Sequence, residues 1–445
     1  MQEFTVKDIL KATGGTLVCG DENKKINSVS TDSRNLDSHT LFVPLKGERF
    51  DGHDFTANAS MYITHKDAEA IDGKTIVRVD DTLISFGKIA KYYKEKYPIL
   101  TVGVVGSVGK TTTRDFTAAV LSQKFVTLKT DKNFNNNIGV PIMVMRLEKE
   151  HEACVLEMGM SALGEIEYLA DIVRPNILVM TNIGMSHIEN LGSQENIFKA
   201  KMEGTAYLDK ESFVIANGDD KFLKTIKGDY KKFFYGIENE NANFRAVDIT
   251  DKGLDGVEFS VLWQGERYPV TLSTPGVHNV YNALAAFGVG VVCGVSPELA
   301  AQGLENPELT AMRMEIKEAG DKKIINDCYN AAPDSVRAAL KVLETEKGRR
   351  RVAILGDILE MGTFAKDAHL DLGKEAMDKT DVLVCVGKNG AYIAKGAEGM
   401  NHIYTFETTE AAAEVINTII APGDTILLKA SRGMHFEKIL DKIIN

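Results

Sequence analysis

The chain has 445 residues, of which 44% are hydrophobic and 26% charged, a balance typical of a globular protein with two to four domains. Its formal net charge of −11 argues against broad binding to nucleic acid, because Lys and Arg supply most of the affinity for phosphate backbones. Five cysteines stand singly with no CxxC pair, which argues against a zinc knuckle or thioredoxin-type motif and favours free thiols in a reducing compartment.

Residues 1–97 form the first of three regions that differ in sequence pattern. Short apolar runs alternate there with turn signals at 32–34 and 51–52. The first fifteen residues hold four charged side chains and no apolar core, so a signal peptide is not expected.

From about residue 98 the pattern changes to apolar strand, turn and helix. Strands are predicted at 100–105, 153–156 and 177–180, as continuous apolar runs typical of strands buried on both faces. The stretch 244–272 alternates more, and a helix is expected to begin near Asn279. The run 279–297 is uncharged, but several of its residues are glycines and it holds fewer than the ~18 apolar residues expected of a membrane span. We therefore interpret it as a buried helix.

A third region begins near residue 313, with strands predicted at 323–325, 352–355, 382–386 and 425–428. Alternating strands and helices favour parallel sheets, whose ligands bind beyond the carboxyl ends of the strands. Those ends carry Gly106, Glu157, Asn182, Asp327, Asp357 and Lys429. We therefore expect an α/β protein with three domains at 1–97, 98–312 and 313–445, the central one with a parallel sheet and the last one Rossmann-like.

The strongest motif is a glycine-rich loop between a strand and a helix. It consists of Gly106, Ser107, Val108, Gly109, Lys110, Thr111 and Thr112. Backbone N–H groups of such a loop surround phosphate oxygens, the lysine reaches the β- and γ-phosphates, and the first threonine ligates Mg²⁺. Val104 stands where the general pattern has its first glycine, and a turn that binds nothing is the alternative. The central domain is therefore predicted to bind ATP, whose use the loop alone does not specify.

Further motifs follow in order along the chain. They are NFNNNIGVP at 133–141, EMG at 157–159, TNIG at 181–184, His187, KAKME at 199–203, GVHN at 276–279, NALAA at 282–286 and MRME at 312–315. Together with the N-terminal segments 32–34 and 41–53, they resemble the Mur ligase family over essentially the whole chain. Two segments, 326–335 and 356–362, resemble the members of that family that add D-alanyl-D-alanine. Ala332 departs from their pattern, in which Asn is usual, so no side-chain contact is expected there.

The resemblance implies an ATP-dependent acid–amino-acid ligase of peptidoglycan precursor synthesis in the bacterial cytoplasm. ATP would phosphorylate the terminal carboxylate of UDP-N-acetylmuramoyl-tripeptide, and the amine of D-alanyl-D-alanine would attack the acyl phosphate. The products would be the UDP-linked pentapeptide, ADP and phosphate. Two alternatives stay open: a family member that adds a single amino acid, although its Asp-Asn-Pro motif is absent here, and a nucleotide-binding module without catalysis.

The resemblance also implies a magnesium site, with two Mg²⁺ ions expected. Its ligands would be Thr111, Glu157, His187 and Lys201. Lys201 is implied to be carbamylated, which turns a cation into a carboxylate-like ligand and requires a neutral amine. From the residues alone, an exposed strand-end Glu157, a structural His187 and a helix-surface Lys201 are the alternatives.

The remaining roles divide among catalysis, nucleotide and substrate. The implied catalytic set is Lys110, Glu157, His187, Lys201 and Arg313, with Arg313 on the γ-phosphate across the domain interface or, alternatively, in a surface linker. Nucleotide contacts are implied for Asp327 at the ribose, for Tyr329 and Asn330 beside the nucleotide, and for Asn279 and Asn282 at the adenine. The alternative for Asn279 and Asn282 is that they only pack their helix. Substrate contacts are implied for Asn135 and Asn136 near the reacting carboxylate, or in a turn, and for Ser33, Arg34 and Lys46 at the uridine diphosphate.

The acceptor dipeptide is expected in the third domain, where Lys429, Ser431 and Arg432 could face it or the nucleotide. Because the ATP and amine sites lie on different domains, the third domain is expected to swing closed to assemble them. A monomer without nucleic acid or a membrane span is expected. The third residue of the tripeptide stays open between L-lysine and diaminopimelate.

Overall fold

The computed structural model describes residues 1–444, which form three β-sheets in succession along the chain. The strands of the first sheet are β1 (Thr16–Cys19), β2 (Ser28–Ser30), β3 (Thr40–Phe42), β4 (Met61–Thr64) and β5 (Thr75–Arg78). Their order is β1-β5-β4-β3-β2, and only β1 runs antiparallel to its neighbour. Two helices accompany this sheet, α1 (Val6–Thr13) and α2 (Thr82–Lys96).

Helix α2 fastens the first sheet to the central part of the chain. Asp81 caps its start by accepting a hydrogen bond from Ile84 N at 2.8 Å. Tyr93, buried near its other end, donates to the carbonyl oxygen of Leu147 at 2.6 Å. Since that carbonyl belongs to the central part, one buried hydrogen bond joins the two units.

The second sheet has nine strands in the order β14-β13-β12-β11-β10-β9-β6-β8-β7. They are β6 (Leu100–Val105), β7 (Thr127–Lys129), β8 (Ala153–Glu157), β9 (Ile177–Met180), β10 (Phe213–Asn217), β11 (Lys231–Gly236), β12 (Phe244–Asp251), β13 (Val257–Trp263) and β14 (Glu266–Leu272). Strands β6 to β12 are parallel, whereas β13 and β14 are antiparallel. The predicted parallel sheet is confirmed for β6 to β12, and the alternation in 244–272 belongs to an antiparallel edge with one face more exposed.

Seven helices surround the second sheet. They are α3 (Lys110–Leu121), α4 (Gly139–Met145), α5 (Glu165–Val173), α6 (Ile188–Leu191), α7 (Gln194–Met202), α8 (His278–Val292) and α9 (Pro297–Gly303). Helix α8 begins one residue before the predicted start and packs along α3, with most of its side chains buried, so the predicted buried helix is confirmed. Within residues 1–444, no helix is both long and apolar enough to cross a membrane.

The third sheet has six strands in the order β15-β16-β20-β17-β18-β19. They are β15 (Glu315–Ala319), β16 (Lys322–Asn326), β17 (Arg351–Gly356), β18 (Val382–Val386), β19 (Ile403–Phe406) and β20 (Thr425–Lys429). Its helices are α10 (Pro333–Glu344), α11 (Ala365–Met377), α12 (Gly390–Gly396), α13 (Thr409–Ile419) and α14 (Glu437–Ile444). All four strands predicted here are confirmed, and β15 is an antiparallel edge that carries too many charges to show as an apolar run.

The α/β class and the three-part organisation are confirmed, with sheets that fall within 16–78, 100–272 and 315–429. The domain boundaries at 97/98 and 312/313 stay predictions. The carboxyl ends of β6, β8 and β9 lie opposite the loops that follow β16, β17 and β20, and the cleft between them contains most of the predicted site.

Candidate functional site

The phosphate loop has the shape that its glycines predict. Strand β6 ends at Val105 and helix α3 begins at Lys110. Gly106 has φ +154°, and a side chain there would overlap the hydroxyl of Thr181. Gly109 has φ +84°, and a Cβ atom there would lie 2.5 Å from Asn282 Oδ1. Only glycine fits both positions without displacing a neighbour.

The neighbouring strand end holds this loop in place. Asn182 accepts a hydrogen bond from Val108 N at 2.9 Å and donates one to the Val108 carbonyl at 3.0 Å. Gly184 N donates to Ser107 Oγ at 2.9 Å. These contacts set the loop's backbone before any ligand arrives. Asn182, which the sequence marked as a strand end and as part of the TNIG motif but gave no role, thus positions the phosphate loop.

A cavity of about 620 Å³ lies between the central and C-terminal parts; we call it the main cleft. The predicted site residues that line it are Lys110, Asn135, Asn136, Glu157, His187, Arg313, Tyr329, Asn330, Ser431 and Arg432. Three charged residues that the sequence did not single out also line it: Lys132, Glu165 and Glu360. The cleft therefore places basic and acidic groups together, as a site for polyanions and metal ions requires.

Glu157, which lines the main cleft, contacts the Thr111 hydroxyl of the phosphate loop. The Thr111 hydroxyl donates to Glu157 Oε2 at 3.0 Å, and Asn135 Nδ2 donates to Oε1 at 2.8 Å. The buried guanidinium of Arg114 stands 3.7 Å from the same carboxylate. A hydroxyl and a carboxylate so close together suit a hard cation such as Mg²⁺.

Arg313 crosses from the C-terminal part to the phosphate loop. Its Nη2 atom donates to Thr111 Oγ1 at 3.1 Å, and its guanidinium lies 4.1 Å from the centre of the Tyr329 ring. Its Nε atom is buried and has no hydrogen-bond partner among residues 1–444. Stacking on Tyr329 thus holds a guanidinium with a spare donor beside the loop.

Lys201 is buried in helix α7, where its side chain has no ion-pair partner in the described chain. Burial lowers its pKa well below the ordinary value, and the nearby positive charge of Lys110 lowers it further. Burial also lowers the pKa of Lys110, whose Nζ atom donates to the Gly106 carbonyl at 2.9 Å. A neutral amine at position 201 is the form that carbamylation needs.

No cluster of three or more His, Cys, Asp or Glu side chains able to hold a metal occurs among residues 1–444. His187 lies in the main cleft with Nδ1 at 2.6 Å from Glu360 Oε2. A metal site here would therefore need the Thr111 hydroxyl and a modified Lys201 beside Glu157 and His187. The Mg²⁺ site and the carbamylation of Lys201 stay predictions.

The predicted nucleotide residues outside the main cleft are engaged in internal contacts. Thr113 Oγ1 donates to Asn282 Oδ1 (3.0 Å), Asn282 Nδ2 to Asn279 Oδ1 (2.9 Å), and Asn279 Nδ2 to the Pro275 carbonyl (2.8 Å). This chain joins α8 to α3, as the packing alternative describes. The adenine role of both residues stays a prediction.

Asp327 is likewise bound within the protein. Its Oδ2 atom lies 2.7 Å from Lys429 Nζ, and its Oδ1 atom accepts from Met314 N at 3.2 Å. Burial lowers the pKa of Lys429 even though Asp327 favours its charge. This buried pair ties β20 to the loop after β16, and the ribose role of Asp327 stays a prediction.

The predicted uridine-diphosphate residues lie on the first sheet's side and not in the main cleft. The Arg34 side chain is 84% exposed and pairs with Asp32 at 2.5 Å, which lowers the pKa of Asp32 to about 2. Ser33 is partly buried and Lys46 exposed. Their roles stay predictions, since nothing brings them into contact with the cleft residues.

Family models match three successive stretches of the chain: Mur ligase family, catalytic domain at 25–93, Mur ligase middle domain at 104–290, and Mur ligase, glutamate ligase domain at 312–432. The chain is 37% identical to the UDP-N-acetylmuramoyl-tripeptide–D-alanyl-D-alanine ligase of Bacillus subtilis (strain 168), over 100% of this chain and 99% of that one. A crystal structure of MurF from Acinetobacter baumannii matches with a TM-score of 0.92 at 30% identity, covering 100% of this chain and 99% of that one. MurF from Thermotoga maritima in complex with ADP matches with a TM-score of 0.84 at 26% identity, covering 94% and 96%. The chain belongs to the Mur ligase family.

Proposed function

We propose that this protein is an ATP-dependent ligase that joins D-alanyl-D-alanine to UDP-N-acetylmuramoyl-tripeptide. The observation that carries the proposal is the meeting, in one cleft, of a phosphate loop, the Thr111–Glu157 oxygen pair and Arg313 from the opposite part of the chain. Relatives matched over their full length are named for this reaction, and one such structure is a complex with ADP.

In the first step a carboxylate oxygen of the tripeptide attacks the γ-phosphorus of ATP. The bond from that phosphorus to the bridging β,γ oxygen breaks, and ADP leaves with the electron pair. Two anions must approach each other, so Lys110 and the spare donor of Arg313 supply the opposing charge. In the second step the dipeptide amine attacks the acyl carbon, phosphate leaves, and the nitrogen loses a proton to form the amide.

Mg²⁺ would be held by Thr111, Glu157, His187 and Lys201, the last as a carbamate formed when its neutral amine adds CO₂ and loses a proton. Bound there, two Mg²⁺ ions would neutralise charge on the triphosphate and on the reacting carboxylate. The burial of Lys201 and its lowered pKa support this assignment, because both favour the neutral amine that adds CO₂.

The substrate is proposed to run from the first sheet to the cleft. Ser33, Arg34 and Lys46 would bind the uridine diphosphate, and Asn135 and Asn136 the peptide near its reacting end. Asn135 already touches Glu157, the proposed metal ligand. The acceptor dipeptide would enter from the C-terminal side, where Ser431 and Arg432 line the cleft. A monomer acting in the bacterial cytoplasm is part of this proposal.

Phosphate release tests the proposal directly. ATP, Mg²⁺ and UDP-N-acetylmuramoyl-tripeptide are incubated with and without D-alanyl-D-alanine, and the product is identified by mass spectrometry. Release that requires the dipeptide and yields the pentapeptide is expected. Release that follows UDP-N-acetylmuramoyl-dipeptide and a single amino acid would move the substrate assignment to the other family branch. No release with any acceptor would favour a binding module.

A further inference from the structure

Glu360 reaches from the third sheet to the central part of the protein. It lies in the loop after β17 and lines the main cleft. Its Oε2 atom is 2.6 Å from His187 Nδ1, an ion-pair distance at which the ring N–H is not aligned for a hydrogen bond, and its carbonyl accepts a hydrogen bond from Glu189 N at 3.3 Å. Side chain and backbone of one residue thus hold the segment that carries His187.

The backbone at both ends of this contact is left-handed. The φ angle is +62° at His187 and +65° at Glu360, a region that residues with side chains rarely occupy unless surrounding contacts hold them there. Two further residues of the main cleft, Lys132 and Met312, share this conformation. Left-handed residues of this kind concentrate at functional sites, and here two of them face each other across the cleft.

The Glu360 carboxylate lies beside a ring nitrogen of His187, with 2.6 Å between Oε2 and Nδ1. A charged carboxylate beside one ring nitrogen of a histidine favours the tautomer with the proton on that nitrogen. The other nitrogen then carries the lone pair that a metal ion needs, an arrangement common around metal-binding histidines.

We propose that Glu360 is a positioning residue that orients His187, with the proton on Nδ1 and Nε2 presented to Mg²⁺, and that it does so only while the C-terminal part of the chain is docked on the central part. This inference rests on the Mg²⁺ role proposed above for His187.

The same docking brings in Arg313, which donates to Thr111 on the phosphate loop. Two charged side chains of the C-terminal part therefore contact the central part across the cleft. Arg313 contacts the phosphate loop, and Glu360 contacts His187. Closure would therefore complete the metal site and the phosphate site in a single movement, so that neither is fully formed in an open molecule.

Metal binding tests the inference without the ligation reaction. Mn²⁺ affinity is measured by electron paramagnetic resonance in the presence of the non-hydrolysable analogue AMP-PNP, and closure by small-angle X-ray scattering of the same samples. The variants are Glu360→Ala, Glu360→Gln, His187→Ala and the double variant Glu360→Ala/His187→Ala. Glu398→Ala serves as control, because Glu398 is an exposed acid of the same region and lies outside the cleft.

Glu360→Ala is expected to weaken the His187-dependent Mn²⁺ site by about 10- to 100-fold, the usual effect of removing a residue that orients a metal ligand. Glu360→Gln should lose less, since its amide oxygen can still accept from Nδ1. The double variant should bind Mn²⁺ no more weakly than His187→Ala alone, and Glu398→Ala should match the wild type.

Wild-type Mn²⁺ affinity in Glu360→Ala, with His187→Ala impaired, would overturn the inference and leave the proposed function intact. Additive losses in the double variant would also overturn it, because Glu360 would then act independently of His187. Unchanged Mn²⁺ binding in His187→Ala would remove the metal role of that histidine and the inference with it, whereas phosphate release would still report on the ligase reaction. Should Glu360→Ala unfold, Glu360→Gln replaces it: a loss of Mn²⁺ affinity smaller than that of His187→Ala is expected, and wild-type affinity would overturn the inference.

Discussion

Replacing Asn182 with alanine should loosen the phosphate loop while sparing the fold. The substitution removes two hydrogen bonds to Val108, at 2.9 and 3.0 Å, but leaves the backbone bond from Ser107 N to the carbonyl of residue 182. At about 0.5–1.5 kcal/mol for each net hydrogen bond, the loop loses about 1–3 kcal/mol of its preorganisation. Because the ligand must then order the loop, nucleotide affinity should fall by roughly 5- to 150-fold.

Isothermal titration of ADP in the presence of Mg²⁺ measures this loss. Asn176→Ala is the matched control: its amide oxygen accepts one hydrogen bond from Thr101 N at 2.9 Å, at the opposite end of the same strand, β9. The control should lower the thermal midpoint slightly and leave ADP affinity unchanged. Normal ADP affinity in a folded Asn182→Ala protein would refute the reasoning, and so would an equal loss of affinity in Asn176→Ala.

Three further predictions address charge. Lys201→Ala should abolish ligation, with partial rescue by short carboxylic acids that replace the carbamate. Lys199 is exposed two residues away on the same helix, so Lys199→Ala should retain activity. Loss of activity in both variants would show that the effect belongs to helix α7 as a whole. Arg313→Ala should lower kcat by about 10²–10³-fold with a smaller change in ADP affinity. Arg313→Lys should restore little of this kcat, because lysine lacks the planar group that stacks on Tyr329. Full recovery of kcat in Arg313→Lys would contradict the role of a stacked guanidinium. Burial lowers the pKa of His278 to about 4, whereas the unfolded chain has the ordinary value of 6.5. Between these two pH values the folded state therefore binds fewer protons than the unfolded state. The free energy of unfolding should therefore be constant at high pH and fall by about 2 kcal/mol from pH 7 to pH 5, and urea titrations of His278→Gln should show a flatter dependence.

The sequence predicts the parts of the site that depend on contiguous residues. The glycines at 106 and 109 and the helix that starts at Lys110 form one local unit, so the loop could be predicted from its own composition. Buried parallel strands were equally visible, because each appears as an apolar run with a polar residue at its end. Glu157 was found in this way, and it lies in the cleft.

Contacts between distant segments could not be predicted in the same way. Glu360 meets His187 across 173 positions only because the third sheet packs against the second, and no local pattern encodes that docking. Asn182 was one of six strand-end residues in the sequence, and its contacts with the phosphate loop depend on the loop lying beside it in space. Strand β15 went unpredicted because an edge strand tolerates charges on both faces.

The amides of Asn279 and Asn282 show why a motif and a role are separate inferences. The sequence placed both residues on a helix that begins near Asn279, and the structure confirms this helix and shows that it packs against α3. Their side chains, however, form a chain of hydrogen bonds from Thr113 to the start of α8, and Asn282 Oδ1 stands where a side chain at position 109 would have to fit. A residue that supports the phosphate loop in this way can affect nucleotide binding without touching the base. Loss of ADP affinity in an Asn282 variant would therefore follow from either role, and the two roles are separated by measuring ADP and GDP affinities together. If Asn282 contacts adenine, the variant should change the ratio of the two affinities. If Asn282 only supports the loop, the variant should lower both affinities by the same factor.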